Sequence, residues 1–302
     1  MNEVVMKSVK LPNGETIGYR ERVGSGRTLL LVHGNMTSSK HWDVLLENME
    51  SDYHLVAIDM RGFGESTYHE KIYSIKDLAE DIKLFVDELQ LSRFTIMGWS
   101  LGGAVSMQFV INYPQYCEQL ILLASASTRG YPFFGTGEDG QIDIGKRLTS
   151  YDEIKVDPGR TIVMQTAYDT KNKELLKLVW NSVIYTTKQP DENKYDEYLD
   201  DMITQRNLAE IYHALNTFNI SHQHNGLVEG TGEVSKINIP TLILWGENDL
   251  VVTETMTNEL VEDFGDAATF VKLEKCGHSP LIDDLPKLIK EVTMFMTEEK
   301  VQ

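Results

Sequence analysis

Short runs of β-branched and aliphatic residues alternate along the chain with stretches whose apolar positions recur every three to four residues. The runs at Glu15–Glu21, Thr28–His33, Tyr53–Ile58, Arg93–Gly98, Gln119–Ser125, Thr241–Trp245 and Thr269–Leu273 are predicted strands. Those starting at Thr28, Arg93, Gln119 and Thr241 are apolar without alternation, as strands covered on both faces are. Between them, Ile75–Leu89 carries Ile75, Leu78, Ala79, Ile82, Phe85, Val86 and Leu89 on one stripe. Ser74 before it and Asp77 in its first turn are spaced as a helix-starting capping box. Leu101–Tyr113 is apolar nearly all round and stops at Pro114, the pattern of a buried helix. The alternation predicts an α/β fold with a mostly parallel central sheet and helices on both faces.

The rhythm breaks between about Thr128 and Ser235. This stretch begins with an aromatic, Gly-rich loop (Tyr131-Pro-Phe-Phe-Gly135), and the glycines of Gly135–Lys146 read as a mobile Gly-rich cap loop. Helical patterns follow, one carrying Leu175, Leu176, Leu178, Val179 and Trp180, another Leu208, Ile211, Tyr212 and Leu215. Strand character resumes at Ile239-Pro240-Thr-Leu-Ile-Leu244. The expected organisation is therefore a core made of 1–127 and 236–302, with 128–235 inserted as a helical cap. No internal repeat is visible.

Charge removes some functions from consideration. With 28 basic and 46 acidic residues the formal net charge is −18, which opposes binding to nucleic-acid phosphates and anionic membranes. The longest aliphatic runs are far too short to span a bilayer. Met1–Lys7 has no basic n-region or long apolar stretch, and the two cysteines, Cys117 and Cys276, form no disulfide framework. A cytoplasmic protein is expected. The oligomeric state stays open.

The chemistry is concentrated in a few loops. Gly98-Trp99-Ser100-Leu101-Gly102 follows a predicted strand and opens the buried helix, the context in which G-x-S-x-G exposes a serine nucleophile on a tight turn. A serine hydroxyl is weak alone and needs a base oriented by an acid. His278, in the loop after Thr269–Leu273, is the candidate base. Asp249, after Thr241–Trp245, is the candidate acid, with Glu247 as runner-up. Two backbone N–H groups are candidates for an oxyanion hole: Leu101, at the first helical turn, and Asn35, in the His33-Gly34-Asn35-Met36 loop. His33 itself reads as structural, its ring bonded to backbone.

Together, His33-Gly34-Asn35, the Asp59–Ser66 segment, Gly98–Gly103, Gly246-Glu-Asn-Asp249 and Gly277-His278 resemble the α/β-hydrolase superfamily over the whole chain except the cap. The resemblance implies Ser100 as nucleophile, Asp249 as acid, His278 as base, Asn35 and Leu101 as oxyanion donors, and a structural turn at Asp59–Ser66. Serine at the elbow sets the chain apart from dehalogenase and epoxide-hydrolase relatives, which use aspartate there. The implied reaction is hydrolysis of a small or medium-sized carboxylic ester or lactone through an acyl-enzyme, with no metal or organic cofactor. Acyl-homoserine-lactone hydrolysis, C–C bond hydrolysis, cofactor-free perhydrolysis and a slow-turnover ligand receptor are the alternatives on the same triad.

Trp99, Phe133 and Phe134 are the candidate substrate-facing residues. Trp99 either lines the acyl pocket or packs beneath it. Other patterns are set aside. Gly135-Thr-Gly137-Glu-Asp-Gly140 matches a dinucleotide loop but lacks a preceding strand, and Gly140–Lys146 is followed by Arg147 where a phosphate loop needs Ser or Thr. His222-Gln-His224 has no third ligand at metal spacing, and Cys276 reads as a small buried apolar residue.

Overall fold

The computed structural model describes residues 3–297, so the outermost residues of the two expected core segments, including Met1 and Asn2, lie outside it. Ten strands form in chain order: β1 (Val5–Lys10), β2 (Thr16–Arg22), β3 (Thr28–Val32), β4 (His54–Ile58), β5 (Phe94–Trp99), β6 (Cys117–Leu123), β7 (Phe134–Thr136), β8 (Ile142–Arg147), β9 (Thr241–Gly246) and β10 (Ala268–Leu273). Eight of them make one sheet in the order β1-β2-β4-β3-β5-β6-β9-β10. Every pairing from β4 to β10 is parallel; β1 and β2 join antiparallel at one edge.

The helices are α1 (Asp43–Asn48), α2 (Ile75–Glu88), α3 (Leu101–Asn112), α4 (Tyr151–Lys155), α5 (Thr161–Asp169), α6 (Lys173–Val183), α7 (Glu192–Met202), α8 (Leu208–Thr217), α9 (Glu254–Phe264), α10 (Pro280–Asp283) and α11 (Leu285–Thr297). Period-two alternation sorts the strand side chains onto two cores. Leu30, Val32, Val56, Ile58, Ile96, Leu120 and Leu122 pack with the apolar stripes of α2 and α3. Leu29, Leu31, Leu55, Met97, Ile121 and Leu244 pack with α1 and α11 on the other face. The Ser74–Asp77 capping box is formed at the start of α2.

The stretch between β6 and β9 holds β7, β8 and α4 to α8. Its Met164, Tyr168, Leu176, Trp180 and Leu199 share a buried cluster with Trp99, Leu244 and Leu281, so the insert packs directly on the sheet's second core. Two elements depart from the sequence reading. β1 is exposed and charged, the signature of an edge strand with no apolar face to betray it. The expected Gly-rich loop is instead the β7–β8 hairpin, pinned where the Asp157 carboxylate accepts from the Thr136 N–H (2.8 Å) and hydroxyl (2.9 Å). Cys117 and Cys276 are free and buried, and no helix among the described residues is long and apolar enough to cross a membrane.

The strand order marks out one crevice. The chain runs outward from β3 to β4, then returns across β3 to β5, so the strand order reverses between β3 and β5. In open parallel sheets the crevice beyond the carboxyl ends at such a reversal is where ligands bind. The loops after β3 and β5 are those of His33–Met36 and Ser100.

Candidate active site

Ser100 sits between β5 and α3 with φ 56° and ψ −117°, a backbone conformation that L-residues rarely adopt. The turn has no room for neighbouring side chains: a Cβ on Gly98 would lie 2.2 Å from the Gly102 carbonyl oxygen, and one on Gly102 would lie 2.1 Å from that of Val32. Backbone hydrogen bonds hold the strain in place. Ser100 N–H donates to the Leu123 carbonyl (3.0 Å), and the Ser100 carbonyl accepts from the N–H groups of Gly103 (3.0 Å) and Ala126 (3.1 Å).

Across from the serine, the loop after β3 is clamped through one peptide. His33 Nε2 accepts from the Met60 N–H (3.0 Å), so the ring proton is on Nδ1 and is donated to the Gly34 carbonyl (2.7 Å). Thr37 Oγ1 donates to the same carbonyl (2.9 Å). Because a trans peptide points its C=O and N–H in opposite directions, fixing the Gly34 carbonyl fixes the direction of the Asn35 N–H. Among the described residues neither the Asn35 nor the Leu101 N–H donates to a protein acceptor, although Leu101 is fully buried. A buried N–H without a partner is costly unless an oxygen is meant to meet it.

His278 and Asp249 are both buried and joined by a 2.8 Å hydrogen bond from Nδ1 to Oδ2. The other carboxylate oxygen accepts from the N–H groups of Val251 (2.8 Å) and Val252 (2.9 Å), which keeps the acid in one orientation. With its Nδ1 proton committed to Asp249, His278 keeps Nε2 as its basic nitrogen. Glu247, the runner-up acid, instead accepts from the Lys275 N–H (2.7 Å). Ser100 Oγ has no hydrogen-bond partner among the described residues, His278 included.

The aromatic candidates are engaged with protein. Trp99 is 2% exposed; its indole N–H donates to the His278 carbonyl (2.8 Å), and its ring lies 5.8 Å from the imidazole, so the indole packs against His278. Phe133 is buried against Tyr212, Leu148 and Ile154, with the Arg160 guanidinium 3.9 Å above its ring. Phe134 is half-buried in β7. Burial pushes the Cys276 thiol up to about 11, which leaves it protonated and inert at neutral pH. His222 is bonded to Ser235 and His224 to the Gly226 N–H.

The stretch from Asp201, near the end of α7, to Asn207, just before α8, also reaches this region without a sequence pattern that points to it. Asp201 bonds Ser38 and lies 3.2 Å from His41, Thr204 accepts from the Gly64 N–H, Arg206 reaches the Ser66 carbonyl, and Asn207 donates to the Arg61 carbonyl. Gln205 donates to Asn35 (2.8 Å). The polar run Thr204-Gln-Arg-Asn207 looks like a solvated turn, and only its density of short hydrogen-bonding side chains before α8 could have flagged it.

A family model for the alpha/beta hydrolase fold matches residues 27–285, and the chain belongs to that family. Among curated proteins it is 25% identical over 301 residues to Lipase 1 of Psychrobacter immobilis, covering 97% of this chain and 84% of the lipase. It is likewise 25% identical over 280 residues to 2-hydroxy-6-oxononadienedioate/2-hydroxy-6-oxononatrienedioate hydrolase 1 of Pseudomonas putida, covering 90% of each. Among solved structures, an esterase from Exiguobacterium antarcticum superposes with a TM-score of 0.75 at 19% identity, covering 97% of this chain and 100% of the other.

Burial holds the His33 ring down to about 4, from an ordinary 6.5, despite the bond to Gly34 that favours its proton. The folded protein therefore keeps His33 neutral while the unfolded chain protonates it below about 6.5. The unfolded state gains the extra proton, so stability is lost as pH falls from about 6.5 toward 4. His33→Gln, which takes up no proton, is expected to flatten that part of the acid limb in urea titrations run from pH 7 to pH 4. Parallel losses in the two proteins would show that His33 is not buried neutral.

Proposed function

We propose that the protein is a serine hydrolase cleaving a small or medium-sized carboxylic ester or lactone. Ser100 attacks the carbonyl as His278 Nε2 takes its proton, and Asp249 holds the imidazole in the right tautomer and stabilises its cation. The N–H groups of Leu101 and Asn35 receive the oxyanion. His278 passes the serine proton to the alcohol oxygen as its bond to the carbonyl carbon breaks, the alcohol leaves, and the acyl group stays on Ser100. His278 then takes a proton from water, which attacks the acyl carbon, and returns it to Ser100 as the acid departs. The insert 128–235 acts as the cap that shapes the pocket. The observation that carries this reading is the conjunction of a strained elbow serine with two unpaired N–H groups flanking it and a buried, hydrogen-bonded Asp–His pair. Contacts such as Ser100–His278 commonly tighten only when substrate is in place.

Kinetics on p-nitrophenyl esters and on acyl lactones test it. Ser100→Ala is expected to abolish turnover with the fold intact. Asp249→Asn should lower kcat by roughly 10³–10⁴-fold, since it removes the charge that orients the base. Turnover that survives Ser100→Ala would overturn the assignment, and a larger loss for Glu247→Gln than for Asp249→Asn would move the acid to Glu247.

A second reading, cleavage of a substrate that carries a carboxylate, rests on Arg160. In a chain with a large acidic excess, its guanidinium has no ion pair or side-chain hydrogen bond among the described residues; it is held over Phe133 and 5.7 Å from the Tyr212 ring. The Pseudomonas putida relative is itself named for a dioate. Under this reading, Arg160→Met lowers kcat/KM for a p-nitrophenyl hemiglutarate about 10–100-fold more than for p-nitrophenyl butyrate, the effect of losing one charged hydrogen bond. Equal losses on the two esters would remove Arg160 from substrate recognition.

A further inference from the structure

Gln205 stands out because it is a buried amide of the insert whose hydrogen bond ends on the loop opposite the nucleophile. Its Nε2 donates to Asn35 Oδ1 (2.8 Å) and to Asn207 Oδ1 (3.0 Å), and its Oε1 accepts from the Tyr168 hydroxyl (3.2 Å). The side chain is 3% exposed. Tyr168 on α5 and Asn207 in the α7–α8 connection thus hold Gln205, and Gln205 in turn holds Asn35 of the core.

The direction of this relay is fixed from one end. A backbone carbonyl can only accept, so the Arg61 carbonyl requires Asn207 to turn its Nδ2 toward it (2.7 Å). Asn207 then presents Oδ1 to Gln205, which must offer Nε2. The same NH2 group meets Asn35, which must offer Oδ1 in turn. Each amide has one orientation that satisfies its neighbours, and the buried groups would be left unpaired in the other, at a cost of about 1–3 kcal/mol each. Asn35 is therefore held from two sides. The Gly34 carbonyl clamp sets the direction of its N–H, and Gln205 fixes its side chain.

We propose that Gln205 is a positioning residue for the oxyanion loop, so that the insert completes the machinery it covers. This rests on the hydrolase reading above. Gln205 touches neither the reacting atoms nor substrate in this scheme; it acts by keeping Asn35, and with it the Asn35 N–H, from swinging away from the carbonyl being attacked. Removing the inserted residues' grip on Asn35 loosens the hole without disturbing Ser100, His278 or Asp249.

The test is a double-mutant cycle with two readouts: kcat and KM on p-nitrophenyl butyrate, and the rate at which a fluorophosphonate labels Ser100. Gln205→Leu is expected to lower kcat and the labelling rate together, about 10–100-fold, as a misplaced catalytic donor does. KM and the shape of the pH profile should stay as in the native protein. Asn35→Ala keeps its backbone N–H but gives Gln205 nothing to hold, so adding Gln205→Leu to it should cost nothing more. Gln205→Glu keeps the shape and the Tyr168 contact but faces two acceptor oxygens with a carboxylate, and is expected to lose at least as much as the leucine variant; thermal melts of both variants report whether they fold. Losses that multiply in the Asn35→Ala background, or a Gln205→Glu variant that folds and labels at the native rate, would overturn the inference while leaving the hydrolase reading intact. A native chain whose Ser100 the probe does not label would bring both down.

Discussion

Everything at this site depends on keeping one serine in a conformation that its own backbone resists. A left-handed φ at a residue with a Cβ costs on the order of 1–3 kcal/mol and persists only where the surroundings over-determine it. Here they do: β5 ends and α3 begins on either side of Ser100, two backbone hydrogen bonds tie it to β6 and the loop after it and a third to Gly103 in α3, and the close approach of Gly98, Gly102 and the end of β3 leaves no other path for the chain. The strain has a return. It sets Ser100 directly before the unpaired Leu101 N–H at the helix start, so that the proposed nucleophile and one proposed oxyanion donor come from one turn.

The remaining parts are brought to that turn by the order of the strands. β3 lies next to β5, so the loop carrying Asn35 faces the elbow; β9 and β10 follow beyond β6 and deliver Asp249 and His278 from their carboxyl ends. Each part is oriented by an N–H or C=O group whose polarity is not in doubt. Met60 N–H sets the tautomer of His33, the N–H groups of Val251 and Val252 set the carboxylate of Asp249, and the Trp99 indole holds the carbonyl of His278. Preorganised dipoles of this kind are what make an electrostatic site effective, because nothing has to reorient while charge develops. The insert joins the same scheme through the Arg61 carbonyl and its chain of amides.

How far the sequence could be read follows from the range of each constraint. The elbow, the strands around it and the capped helix α2 are written in local residue types: glycines where a Cβ would collide, apolar runs where both faces are covered, Ser74 and Asp77 where N–H groups need acceptors. Asp249, His278 and the His33–Asn35 loop were legible because they stand at strand ends in a recognisable order. The contact of Trp99 with His278 could not be read from sequence, since it joins residues 179 positions apart through an indole N–H and a backbone carbonyl. β1 has the composition of a solvated edge, and the β7–β8 hairpin depends on Asp157, which lies far enough along the chain to leave no period. The contact of Gln205 with Asn35 joins residues 170 positions apart through two neutral amides, and neither propensity nor periodicity records such a pair.

The most direct measurement is mass-spectrometric mapping of the adduct formed by a fluorophosphonate, with its rate followed in the native chain and in His278→Ala. The account calls for a single phosphonyl group on the peptide containing Ser100 and for strongly slowed labelling once the base is gone. An adduct on another residue, or a Ser100 labelling rate indifferent to His278, would contradict it.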